Sequence, residues 1–174
     1  MRIQKELVGE KIILRPVEDS DTPLIVRWRN NERVRRNFIF QEPFTEEMHR
    51  NWLHTRVVSG DVEQFMILEA VKRKPIGSVY LRDIDYNQKT AEYGIFIGED
   101  TEIGKGYGTI AGRMMLHIAF EKLGLEQIYL RVYEDNISAI RSYEKIGFVP
   151  MNRTETVLSE NGMDRKLVFC KIKK

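Results

Sequence analysis

Three glycines alternate along Ile103-Gly104-Lys105-Gly106-Tyr107-Gly108-Thr109, and an apolar helical pattern begins directly after them. Glycine turns tightly and admits a ligand where a Cβ would block its approach. The first amides of a helix lack helical acceptors and carry partial positive charge. A loop of this kind feeding a helix is a socket for a phosphate or pyrophosphate. The P-loop spacing Gly-x-x-x-x-Gly-Lys-Ser/Thr is absent, whereas Gly106-Tyr107-Gly108-Thr109-Ile110-Ala111 fits the dinucleotide pattern Gly-x-Gly-x-x-Gly/Ala. His49, His54 and His117 show neither ligand spacing nor a triad, so no metal site is expected. Cys170, the single cysteine, sits in an apolar strand pattern and reads as a small core residue.

The elements that must position this loop follow from periodicity and turn chemistry. Residues 11–17 read as a strand ended by Pro16. Asp19, Ser20 and Asp21 can cap a helix whose apolar face is Leu24, Ile25 and Trp28. Pro43 and Thr45 start another helix, with Met48, Trp52 and Leu53 as its buried side. Residues 64–71, 76–84 and 89–98 read as three consecutive strands. The loop comes next, then a helix carrying Ile110, Met114, Leu116, Ile118 and Phe120 that Gly124 terminates. Residues 127–133 form a strand and 136–145 a helix, with Asn136 as its cap and Gly147 past its end. Asn161-Gly162 then signals a closing hairpin. The order βααβββαβαββ argues for an α+β or mixed sheet. A doubly wound nicotinamide domain does not fit, because three consecutive strands precede the loop and only one strand–helix unit and a hairpin follow it.

The stretch Asn136-Ile137-Ser138-Ala139-Ile140-Arg141-Ser142-Tyr143-Glu144-Lys145-Ile146-Gly147-Phe148 resembles the closing motif of the GNAT acetyltransferases, Asn-x-x-Ala-x-x-x-Tyr-x-x-x-Gly-Phe. The glycine loop resembles the pyrophosphate loop of the same superfamily, Gln/Arg-x-x-Gly-x-Gly/Ala, with Ile103 in place of the usual Gln or Arg. Both motifs occur in order within a matching strand plan, so the resemblance covers nearly the whole chain. It implies a single GNAT-type domain over residues 1–174, with a central mixed, mostly antiparallel twisted sheet flanked by helices.

The resemblance also implies acetyl-coenzyme A as donor and a primary amine as acceptor. Such an amine must lose a proton before it attacks a thioester. The carbonyl oxygen needs a donor as charge develops, and the leaving thiolate needs a proton. Tyr143 is the expected acid, since a phenol stays protonated at neutral pH; alone it would read as an aromatic core residue. Ala139, one turn earlier, leaves room for the thioester. Glu92, on the strand entering the loop, is the candidate base, often acting through water in relatives; otherwise it is a solvated strand carboxylate. Some members use a carboxylate on the following strand, but Arg131 occupies that position here. The backbone of Ile95, Phe96 and Ile97 is expected to meet the pantetheine arm where the strand splays from its neighbour. Residues 103–109 (Ile103, Gly104, Lys105, Gly106, Tyr107, Gly108 and Thr109) are expected to hold the pyrophosphate. Asn136 is expected to bond the arm, and Lys145 either reaches a phosphate or is solvated. A non-catalytic acyl-coenzyme A binding or sensing module on the same fold is the alternative, against which Tyr143 speaks.

Residues 27–36 hold five arginines, Arg27, Arg29, Arg33, Arg35 and Arg36. They form either a solvated basic face or a lining of the acceptor pocket; in the second case they favour an anionic or nucleotide-linked amine over a polycation. The Trp28-Arg29-Asn30 stretch, the Glu42-Pro43-Phe44 turn and the hairpin before Arg165 are similar to the branch with ribosomal-protein amino-terminal and spermidine acetyltransferases. Trp-Arg-Asn also resembles acetyltransferases of a nucleotide-linked amino sugar in flagellin glycan synthesis. The acceptor is thus a protein N-terminus, a polyamine or an amino sugar. A net charge of +2 over 174 residues gives no global attraction to nucleic acid. The N-terminus lacks a signal-peptide core and no apolar run reaches spanning length, so a cytoplasmic protein is expected. A homodimer through sheet edges or the hairpin is also expected.

Overall fold

The computed structural model describes residues 3–158 and 162–174. The chain opens with β1 (Leu7–Val8) and β2 (Ile12–Pro16), followed by α1 (Thr22–Asn30), α2 (Glu32–Arg35) and α3 (Glu46–Trp52). Three strands come next, β3 (Glu63–Glu69), β4 (Pro75–Asp85) and β5 (Thr90–Ile97). Then α4 (Tyr107–His117), β6 (Gln127–Tyr133), α5 (Ile137–Ile146), β7 (Val149–Leu158) and β8 (Asp164–Lys173) complete the fold. The eight strands form one sheet in the order β1-β2-β3-β4-β5-β6-β8-β7, antiparallel except for β5–β6.

The strand plan read from the pattern is present, with β1 added at an edge. Its two residues are too few for a period-2 signal to register. The hairpin expected near Asn161 is supported by the β7–β8 pairing up to Leu158↔Asp164; Asn161 itself lies outside the described residues.

One local expectation, the buried face of α3, needs correction. The arginine-rich stretch divides between two helices, α1 and α2. Asn31 is extended (φ −64°, ψ 128°) and its side chain accepts the Arg33 amide, so it ends α1 and caps α2. Helix α3 starts at Thr45, whose hydroxyl accepts the Met48 amide at 3.2 Å. Its inward face, however, holds His49 and, just past its end, Leu53, while Met48 is exposed. A polar residue thus occupies a position that a purely apolar count assigns to its neighbour.

Alternation along β5 divides its side chains between two cores. Ala91, Tyr93, Ile95 and Ile97 pack on the α4–α5 face with Phe65, Leu81, Met115 and Cys170. Phe96 packs on the α1–α3 face with Ile25, Trp28 and Met66. Side chains on a strand point alternately to the two faces, so one strand serves both layers. The parallel pairing of β5 with β6 covers only Thr90–Glu92 against Gln127–Tyr129. Beyond Glu92, β5 continues without β6, and Ile95, Phe96 and Ile97 border the opening this leaves. Among the described residues no helix is long and apolar enough to cross a membrane.

Candidate active site

A cavity of about 860 Å³ is bounded by β5, the glycine loop and the first turn of α4 on one side and by α5 on another. Helices α1 and α3 and strand β4 close its far end. Of the residues singled out from sequence, Ile95, Phe96, Ile97, Ile103, Gly104, Gly106, Tyr107, Gly108, Thr109, Asn136, Ala139, Tyr143 and Lys145 all line it.

The loop has the shape its composition suggests. Gly104 and Gly106 have φ of +77° and +81°, a conformation L side chains rarely adopt. A Cβ at either position would meet nothing within 4 Å, so the backbone faces open space. Gly106 caps α4, and the amides that follow have no helical acceptor. A backbone of this shape can cradle an anion through its amides alone. Lys105 is not part of the cavity lining: its Nζ is paired with Glu102 Oε2 at 2.8 Å.

The facing wall is α5. The Asn136 side chain accepts the Ala139 amide at 3.4 Å, as its capping role requires. Thr109 and Ser142 hydroxyls lie 2.9 Å apart and tie the first turn of α4 to α5 beneath the cavity. Tyr143 stands edge-on to Tyr93 and to Phe148, each 6.0 Å away. Burial pushes its phenol well above the ordinary value, with Tyr80 adding to the effect. It therefore stays protonated across the physiological range, with a proton to give.

Glu92, like Lys105, is not brought to the cavity. It is 6% exposed and held by two guanidiniums. Arg82 Nη2 is 2.9 Å from Oε2, and Arg131 Nε is 2.8 Å from Oε1. It lines instead a separate cleft with Tyr129, Arg131 and Arg153. The residue that fills the place of an alternative carboxylate, Arg131, is thus one half of the clamp on Glu92.

The arginine cluster divides by what each side chain touches. Arg27 meets Glu99 at 2.7 Å, and Arg33 meets Asp100 at 2.7 Å and the Ile97 carbonyl at 2.9 Å. These bonds fasten α1 and α2 to the segment after β5. Arg29 turns into the cavity.

Several lining residues gave no sequence signal. Tyr80 reaches the cavity because it packs on Gly94, where any Cβ would lie 2.3 Å from its ring. His49 presents Nε2 without a partner, while Nδ1 is 2.7 Å from the Thr22 hydroxyl. Gln64 bridges Trp52 Nε1, at 2.9 Å, and the Ser78 hydroxyl, at 3.1 Å. These contacts join residues far apart in the chain, and only the folded sheet shows them.

The profile of the family described as "Acetyltransferase (GNAT) domain" matches residues 11–149. The chain belongs to the GNAT acetyltransferases. Its relatives include the spermidine N(1)-acetyltransferase of Escherichia coli, 31% identical over 140 residues that cover 80% of this chain and 74% of that one. The enzyme of the same name from Vibrio cholerae is 29% identical over 142 residues, covering 82% and 81% of the two chains. The structure of a Vibrio cholerae spermidine N-acetyltransferase in complex with CoA and spermine superimposes with a TM-score of 0.83 at 25% identity, covering 95% of this chain and 96% of that one. The GNAT fold inferred from the two motifs is the fold observed, and the chain is an acetyltransferase of this family.

Proposed function

We propose that this GNAT domain moves an acetyl group from acetyl-coenzyme A to a primary amine by direct attack on the thioester. The observation that carries the reading is the placement of Tyr143. Its protonated phenol shares one cavity with the open anion cradle at Gly104–Gly108, and with Ala139, whose small side chain leaves space beside it. The amides following Gly106 hold the pyrophosphate, and Asn136 and Lys145 stand along the donor's path. From Gly94 to Ile97, β5 is paired with β4 on one side and open on the β6 side, where it offers backbone N–H to the thioester carbonyl.

The amine nitrogen bonds to the carbonyl carbon, the carbon–sulfur bond breaks, and Tyr143 gives its proton to the departing sulfur. The proton lost by the amine passes to water in the cavity, and water returns one to the Tyr143 phenolate. Glu92, with both oxygens engaged by arginines, serves as a structural anchor rather than as the base. A purely acyl-coenzyme A binding module has no use for a buried phenol at this point.

Spermidine is the acceptor named for the relatives, and peptide N-termini and amino sugars complete the set of amines this reading admits. Self-association through the open β7 edge belongs to the same proposal, and sedimentation reads it. The test is thiol release from acetyl-coenzyme A with a panel of these amines. Turnover of at least one supports the reading. Tight coenzyme A binding with no turnover of any amine would favour the binding module.

A further inference from the structure

The cavity holds more positive charge than its donor half requires, and one cation is placed where the donor loop is not. Of the other lining cations, Arg33 is matched by Asp100 and Arg82 by Glu92, while Arg141 and Lys145 stand on α5, the wall facing the glycine loop. Arg29 has no carboxylate partner among the described residues. Its guanidinium is stacked between two rings, 3.6 Å from the Phe38 centroid and 4.4 Å from that of Phe44. The stack fixes the plane and leaves the edge, with its fork of N–H donors, to meet a ligand. Its Nε is buried without a hydrogen bond. Burial lowers its pKa from 12.5 to about 10, with Tyr80 acting in the opposite direction, so the group is still charged at neutral pH.

The surroundings of Arg29 are built for a polar ligand. His49 Nε2 is a second buried nitrogen without a partner in the same cavity. Tyr80 contributes a phenol that burial keeps protonated. Negative charge, by contrast, is scarce. Among the described residues lining the cavity the only carboxylate is Glu102, already 2.8 Å from Lys105 and 3.5 Å from Lys74. A polyamine carries several ammonium groups and finds no free carboxylate there. A buried guanidinium with no counter-ion is unfavourable in the empty protein and becomes favourable when an anion completes it.

We infer that the acceptor is an amine that also carries an anionic group, a carboxylate or a phosphate, and that this group docks on the edge of Arg29 with His49 and Tyr80 beside it. The inference rests on the N-acetyltransferase reading and narrows its acceptor. The anion sits at the α1–α3 end of the cavity and the amine points towards Tyr143.

The test compares acceptors that differ only in the anion, with acetyl-coenzyme A and thiol release as the readout. Glucosamine 6-phosphate is paired with glucosamine, 6-aminohexanoate with 1-aminohexane, and spermidine represents the polycation. In at least one pair the anionic member is expected to have a kcat/KM about tenfold or more above its neutral partner, through KM, as a charge-assisted hydrogen bond implies. Whether the phosphate or the carboxylate pair shows the larger ratio identifies the anion. Arg29→Gln is expected to bring that ratio close to one, and Arg29→Lys to restore part of it. Calorimetry on protein saturated with coenzyme A supplies a readout independent of turnover: the anionic members bind, and Arg29→Gln loses them. Equal kcat/KM within both pairs, spermidine ahead of every anionic amine, or no binding of either anion to the coenzyme A-saturated protein overturns the inference. Turnover of neutral or cationic amines alone would leave the acetyltransferase reading standing and remove only this refinement.

Discussion

Arg82 and Glu92 face each other across the β4–β5 ladder, and Arg82 Nη2 lies 2.9 Å from the carboxylate that Arg131 grips from the other side. Both arginines are largely covered, with side chains 30% and 25% exposed. Removing the central charge leaves two guanidiniums without their counter-ion. Glu92→Gln is therefore expected to lower unfolding stability by about 2 kcal/mol, less than a fully buried pair because water reaches the arginines. Denaturant melts measure this. If Glu92 were the base instead, the substitution would leave stability near wild type and cut turnover by about a hundredfold.

Gly106 offers a direct probe of the cradle. Its φ is +81°, and a Cβ added there would point into open space. A carboxylate at this position therefore costs little in packing and much in ligand binding. Gly106→Asp is expected to abolish coenzyme A binding in calorimetry, while the positive φ costs the fold about 1 kcal/mol. Binding equal to wild type would mean that the pyrophosphate lies elsewhere.

Much of this was legible in the sequence. The loop and α5 walls of the cavity are local in the chain: glycines 104, 106 and 108 and the Asn136-to-Tyr143 helix each carry their geometry in a short motif. The strand plan followed from alternation and turn residues, and both faces of the sheet carry apolar layers. The α1–α3 end of the cavity was not legible, since it is made by contacts between distant segments. Nothing near Glu92 announces that Arg82 and Arg131 will clamp it. The arginine-rich stretch could not show that Arg27 and Arg33 find acidic partners 72 and 67 residues away while Arg29 turns inward. His49 was passed over because a lone histidine on a short helix has no pattern to stand out from.

His49 makes stability depend on pH. Burial lowers its pKa from 6.5 to about 4, overcoming the opposite pull of Asp21 and Asp19. The unfolded chain therefore takes up a proton that the native protein refuses between these values. Stability is fully present above about pH 6.5 and falls as the pH drops towards 4. The loss from this group is about 2 kcal/mol once solvent screening is allowed for. Melts of wild type and His49→Gln across this range should converge at low pH. Parallel curves would show that His49 titrates normally.

In the proposed mechanism Tyr143 supplies the proton to the leaving sulfur, and Tyr143→Phe tests that role most directly. The substitution removes one oxygen and keeps the ring between Tyr93 and Phe148. With an amine that the wild-type protein turns over, kcat is predicted to fall by about a hundredfold or more. The dissociation constant for coenzyme A should stay within about twofold, because the cradle is made by the loop's backbone. Equal kcat in the two proteins, measured as thiol release at saturating amine, would contradict the assignment.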